Sequence, residues 1–210
     1  MISKTALGCE SLIRLGGLCM ILSALILTGR PKQICLIIGS IITLSAFTQI
    51  GHTSVHEDFL TQTLLQIFLL IHLIAISLWV GILLPLYRLS GDVLQIALTA
   101  QMAHHFGRIA SYFVPVLLVA GGWLAFILTG SWAALLTSQY GQILLAKITF
   151  VILLLVLAAF NKLRFVPALR KGQSHTLKRF KQSLITEMIL FVCILSITSI
   201  LTTMLSLPDF

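Results

Sequence analysis

The chain alternates between long apolar segments and short polar stretches, and six apolar segments stand out. They cover approximately residues 7–28, 33–50, 60–87, 106–129, 142–163 and 183–206. About 20 consecutive apolar residues form a helix long enough to cross roughly 30 Å of hydrocarbon. Because lipid offers the backbone no hydrogen-bond partners, segments of this length cross a membrane as helices. The pattern predicts an all-α, polytopic transmembrane helical bundle of about six spanning helices.

Composition supports the same class of protein. Hydrophobic residues make up 58% of the 210-residue chain and charged residues only 10%, which is too apolar for a water-soluble domain of this size. We therefore expect residues 1–210 to form a single integral membrane domain whose main partner is the lipid bilayer. The net charge of +8 comes from residues in the connections, where it sets membrane orientation. It does not indicate nucleic-acid binding.

The basic residues are distributed unevenly between the two predicted membrane faces. If the connection formed by residues 164–182 is cytoplasmic, eleven of the 14 basic residues lie on that side. These are Arg30, Lys32, Arg88, Arg108, Lys162, Arg164, Arg170, Lys171, Lys178, Arg179 and Lys181. The positive-inside rule then places both termini on the outer face, although Lys4 near the N-terminus counts against this orientation.

One histidine lies in the middle of the third apolar segment. Residues 59–87 contain no Asp, Glu, Lys or Arg, but they include His72. Ionisable groups at this depth are costly and usually serve an ion path or a partner, whereas the structural alternative is a hydrogen bond between neighbouring helices. Trp79 lies seven residues further on the same face, where we expect it to anchor packing. Gly81 follows it and leaves room for a close approach of another helix.

A second group of candidate ligands lies in the predicted outer connection after the second segment. His52 and His56 are four residues apart and precede Glu57 and Asp58. Imidazole binds copper, zinc, iron and nickel, and the carboxylates would concentrate cations. The alternative is a solvated polar turn. His72 lies about 18 Å deeper at 1.5 Å per residue, so a capture site above a relay is easier to build than one compact coordination sphere.

Other polar residues carry weaker signals. Lys147 falls near the outer end of the fifth segment, where its stem can reach the interface, and Glu187 falls near the inner end of the sixth. Both are candidates for ion pairs or proton handling, but their opposite depths argue against a pair between them. His104 and His105 are expected at the inner surface. No CxxC pair occurs, so neither a disulfide framework nor a zinc knuckle is expected.

Several ordered blocks point to a known family. They are GHTSVHED, HLIAISLWVGILLPL, FGRIASY, YGQILLAK and FNKLRFVPAL. Together they resemble the membrane domain of the copper-resistance D (CopD/PcoD) family over roughly residues 45–207. The resemblance implies a multi-pass protein of the bacterial inner membrane, with periplasmic termini in our orientation, that moves copper and is transporter-like rather than an enzyme.

Carried over by position, the family features fall on His52, His72, Trp79 and Lys147. The chain departs from the family at Ile82, where a second glycine often follows the W-x-G element. It is also shorter at its N-terminus than the longer family members.

The leading hypothesis is that copper binds at His52 and His56 and passes by His72 inside the bundle. One alternative is a haem-b-binding membrane redox protein with His72 as an axial ligand, which a visible absorption spectrum would identify. A further alternative is a non-transporting assembly partner of a periplasmic copper protein.

Overall fold

The computed structural model describes residues 6–46, 59–129 and 132–203. All secondary structure in these ranges is helical, which confirms the predicted fold class. The α-helices are α1 (Ala6–Ser23), α2 (Gly29–Ala46), α3 (Phe59–Leu89), α4 (Ile96–Thr129), α5 (Trp132–Thr137), α6 (Gln139–Phe160), α7 (Val166–Arg170) and α8 (His175–Thr203). The chain divides into two compact units, Met1–Ile76 and Ser77–Phe210.

In the first unit, α1 and α2 pack closely because glycines face each other. A Cβ atom built on Gly17 would lie 2.9 Å from the carbonyl oxygen of Gly39, and a Cβ on Gly39 would lie 2.9 Å from the carbonyl oxygen of Gly17. Small residues at such positions let two helix backbones approach within lipid. Gly29 begins α2 with φ of 68°, a conformation that costs glycine little.

Four helical stretches of the described residues are long and apolar enough to cross a membrane. They are Gln66–Leu89, Val93–Trp123, Gln139–Arg170 and His175–Leu201. These match the last four predicted segments. The first two predicted segments fall on α1 and α2, helices of 18 residues each, and their crossing of the membrane remains a prediction. Of the six predicted spans, four thus correspond to helices that are long and apolar enough to cross a membrane, and the count of about six is not confirmed.

The two longer connections predicted from the sequence, residues 88–105 and 164–182, prove to be mostly helical. A 3-10 turn at Val93–Gln95 begins with Asp92, whose side chain accepts a hydrogen bond from the backbone N–H of Leu94 at 2.9 Å. Further along, α7 and the first turns of α8 fill the second connection. Leu169 and Phe180 are buried in the second of these connections. Burial of these side chains stabilises helices whose other faces carry charge.

A π-helical segment, Asn161–Phe165, joins α6 to α7. The N–H of Val166 donates to the carbonyl of Asn161, five residues back. Pro167 has no N–H to donate, and its ring clashes with the carbonyl four residues earlier in a regular α-helix, which favours this local widening. π-helical segments are rare and often occur at functional sites. Here the segment begins with Asn161, a buried polar residue.

Candidate functional site

Trp79 is held in a cage of aromatic rings inside the second unit. Its ring makes edge-to-face contacts with Phe106 and Phe113 of α4 and with Phe191 of α8, at centroid distances of 5.9, 6.2 and 5.8 Å. Such geometry is favourable for aromatic pairs. With the ring fixed, its Nε1–H donates to Oε2 of Glu187 at 3.3 Å. The expected packing role of Trp79 is present, and a hydrogen bond accompanies it.

Glu187 lies at the centre of a chain of buried hydrogen bonds. Its Oε1 accepts a hydrogen bond from Nδ2 of Asn161 at 2.5 Å, and Oδ1 of Asn161 accepts one from Oγ of Ser183 at 2.6 Å. Ser183 and Glu187 are one turn apart on α8, whereas Asn161 comes from the π-helical segment. The Ser183 hydroxyl orients the Asn161 amide so that its N–H points at the carboxylate. We call Trp79, Asn161, Ser183 and Glu187 the Glu187 cluster.

The Glu187 cluster is shielded from solvent and has no ion pair within the described part of the chain. Each of its four side chains is at most 8% exposed. The carboxylate oxygens of Glu187 are contacted by two neutral donors, Trp79 and Asn161. A buried carboxylate without a counter-charge is costly unless hydrogen bonds stabilise it. Acidic residues inside membrane-spanning helices are by default functional.

A cleft of about 400 Å³ between α3, α4, α6 and α8 is lined by three members of the cluster, Trp79, Asn161 and Glu187. Most of its lining is apolar, and its charged residues are Glu187 and Lys162. The exposed Lys162 donates a hydrogen bond to Oγ of Ser111 on α4. Its stem lies against Gly107, where an added Cβ would be 3.3 Å from Cγ of the lysine. The Lys162 ammonium is therefore held by α4 rather than by Glu187.

The structure describes one of the three predicted copper ligands. His72 is a partly buried residue of α3, whereas His52 and His56 lie outside the described residues. Among the residues that are described, no three His, Cys, Asp or Glu side chains are grouped so that they could hold a metal ion. The capture site at His52 and His56 therefore stays a prediction.

Other sequence predictions had mixed outcomes. Lys147 is partly buried on α6, and Glu187 instead bonds to Trp79 and Asn161, so the two do not pair, as predicted. No described atom comes within 4 Å of a Cβ built on Gly81, so the described residues do not use the space that this glycine leaves for a close helix approach.

His104 and His105 lie on α4 with ring centroids 6.2 Å apart. Nε2 of His104 is 3.2 Å from a guanidinium nitrogen of Arg108. This neighbouring guanidinium disfavours binding of a metal cation at His104.

Sequence reasoning did not single out Asn161 or Ser183. One signal was present for Asn161, which is a polar amide near the end of the fifth predicted apolar segment, residues 142–163. Ser183 offered no signal, since serine also occurs at exposed positions in these helices, as at Ser196.

Comparisons with known proteins agree with the sequence resemblance. The family model described as CopD, Copper resistance protein D, matches residues 100–201, a range that contains Asn161, Ser183 and Glu187. The inner membrane protein YebZ of Escherichia coli (strain K12) is 28% identical over 159 residues, which are 74% of this chain and 53% of that protein. The chain thus spans about half the length of this curated relative. No solved structure matches.

Proposed function

We propose that this chain handles copper at the bacterial inner membrane and moves it across the bilayer. The premise is that residues 100–201 match the family model of copper resistance protein D. The observation that carries the proposal is His72, a partly buried imidazole inside Gln66–Leu89, a stretch long and apolar enough to cross a membrane. An ionisable side chain at such a position usually marks an ion path or a functional site.

The proposed path for copper begins at the outer face. His52 and His56 offer imidazole ligands, and Glu57 and Asp58 beside them attract cations. His72 is the next imidazole along the chain, in a part of α3 without charged residues. A neutral imidazole binds copper through one ring nitrogen while the other donates a hydrogen bond that orients the ring. Copper is the cargo of this path, so each ligand has to release it again.

Alanine substitution at His52 or His72 tests the path. We expect each variant to lower copper accumulation in cells several-fold relative to wild type, with protein level in the membrane unchanged. His175→Ala is the matched control, because His175 is an exposed residue at the start of α8 and should accumulate copper as wild type does. Normal accumulation in both the His52 and the His72 variant would reject the path.

Purified protein in proteoliposomes separates transport from an assembly role. A transporter admits copper into vesicles that contain no other protein, and the His72→Ala variant admits less. A non-transporting partner of a periplasmic copper protein would bind the metal and leave the vesicle interior empty. The second result would keep the copper assignment and remove the transport step.

A further inference from the structure

The Glu187 cluster contains a titratable group that the proposed histidine path does not use. Glu187 is 4% exposed and belongs to a helix that is long and apolar enough to cross the membrane. Its two hydrogen-bond partners come from two other parts of the second unit, since Trp79 is 108 residues away in sequence and Asn161 is 26 residues away. This arrangement calls for a chemical explanation, because an apolar residue would fill the same space at lower cost.

Two opposing effects act on the carboxyl group. Removal from water disfavours its charged form, whereas hydrogen bonds donated to its oxygens favour that form. Trp79 is fixed by its aromatic cage and Asn161 by Ser183, so both donors stay aimed at Glu187 whether the charge is present or not. Each carboxylate oxygen retains a second lone pair, which lets a proton add without displacing either donor. The site therefore accommodates both protonation states.

Access to the group comes from the cleft. Glu187 lines this cleft, and Lys162 is the other charged residue along its wall. Lys162 is bonded to Ser111 of α4, and α3 contributes the neutral Trp79. Within α8 the neighbouring member of the cluster is the neutral Ser183. No described cation therefore holds Glu187 permanently in its charged form.

The donor set also distinguishes a proton from copper. Glu187 offers carboxylate oxygens, and the Asn161 and Ser183 oxygens nearby are engaged with each other. Cu(I) prefers thiolate and thioether sulfur, and both oxidation states of copper bind imidazole, whereas a lone carboxylate with two N–H donors aimed at it suits a proton. A metal ion in the same place would meet the N–H groups of Trp79 and Asn161, which repel it.

We infer that Glu187 is a proton-exchange site of the membrane-spanning helices, taking up and releasing its proton through the cleft. Its use in driving or balancing copper movement rests on the proposed function. The proton exchange itself does not, because it follows from contacts in the second unit alone.

An apolar carbodiimide tests the inference, since it enters lipid and forms a stable adduct with protonated carboxyl groups. The full chain in liposomes, without copper, is treated between about pH 5 and about pH 9, and peptide mass spectrometry locates adducts among its six acidic residues. We expect an adduct at Glu187 whose yield falls roughly tenfold per pH unit above a midpoint. Glu187→Gln should lose this adduct and no other.

Asp92 is the internal control, because it caps the turn before α4 and bonds to Leu94, away from the cleft. It should react with a water-soluble carbodiimide and much less with the apolar one. Two outcomes measured on wild-type protein would overturn the inference. One is the absence of a Glu187 adduct at every pH, and the other is an adduct whose yield does not change with pH. Because copper is absent, this failure is distinct from a failure of the His52 and His72 variants.

Discussion

Trp79 shows how a single side chain serves both packing and polarity in this protein. Its ring contacts three phenylalanines, while its N–H reaches a carboxylate in the same buried region. Tryptophan is suited to this position because it combines a large apolar body with one donor. The ring excludes water from Glu187 and the donor compensates part of the charge, so the two effects are tied to one residue.

Replacement of Trp79 by phenylalanine separates these effects. The variant keeps a ring in the aromatic cage but removes the donor to Oε2 of Glu187, and an unsatisfied buried acceptor costs about 1–3 kcal/mol. We expect a lower thermal midpoint of the purified protein in detergent. Trp123→Phe is the matched control, since Trp123 is 62% exposed and should leave the midpoint near that of wild type. Equal midpoints for both variants would show that the Trp79 hydrogen bond contributes little.

At the scale of elements, two local features shape the described structure. Helices α1 and α2 form a hairpin in which their backbones approach closely, and the helical backbone widens into a π-helical segment between α6 and α7. Helices α1 and α2 meet through Gly17 and Gly39, which carry no side chain. In the second unit, the π-helical segment Asn161–Phe165 rotates Asn161 toward Glu187. Each feature depends on a local sequence choice, glycine in the first case and the nearby Pro167 in the second.

Alanine at Gly17 should loosen the hairpin of α1 and α2. The added methyl group would sit 2.9 Å from the Gly39 carbonyl oxygen and 2.9 Å from the Thr43 backbone nitrogen, so the helices have to separate, at a cost of about 1–3 kcal/mol. Hydrogen–deuterium exchange of peptides from residues 6–46 should become faster. Gly16→Ala is the matched control, because nothing described lies within 4 Å of a Cβ there. Equal exchange in the two variants would contradict the close packing.

At the scale of the whole molecule, the distribution of basic residues predicts which face of the membrane the helical connections occupy. Residues 164–182 hold six of the chain's 14 lysines and arginines. The described helices continue beyond the apolar segments at this end, where Arg170 and Lys171 are exposed. A strong basic cluster next to a membrane helix favours the cytoplasmic side. Orientation in turn decides whether His52 and His56 face the periplasm, where the proposed path begins.

Reporter insertions test this orientation. A fluorescent protein inserted after Gly172, an exposed turn residue with φ of 74°, should fluoresce in cells, because the turn is expected in the cytoplasm. Alkaline phosphatase at the same position should be inactive. The matched control places both reporters between residues 130 and 131, in a connection predicted on the outer face, where the activities should reverse. An active phosphatase after Gly172 would invert the topology and the direction of the proposed path.

The Glu187 cluster could be predicted from the amino-acid sequence only in part. Glu187 was identified as a candidate for proton handling, and Trp79 as a packing residue, but nothing connected them before the helices were assembled. Asn161 and Ser183 were missed because an isolated polar residue in an apolar helix does not reveal which neighbouring helix it faces. Leu169 likewise becomes a buried contact only when α7 packs against α4.

The amino-acid sequence by itself determined the membrane class, the helical fold, the four helices long and apolar enough to span a membrane, and the family resemblance. Lipid offers the backbone no hydrogen-bond partners, so an apolar segment that crosses the membrane satisfies its backbone hydrogen bonds by forming a helix. Such a segment can be recognised from its local composition alone. Tertiary structure alone decided which polar groups meet inside the helices. Side chains as distant in sequence as Trp79 and Glu187 become neighbours only through helix packing, and packing between apolar surfaces is set by shape rather than by a pattern along the chain.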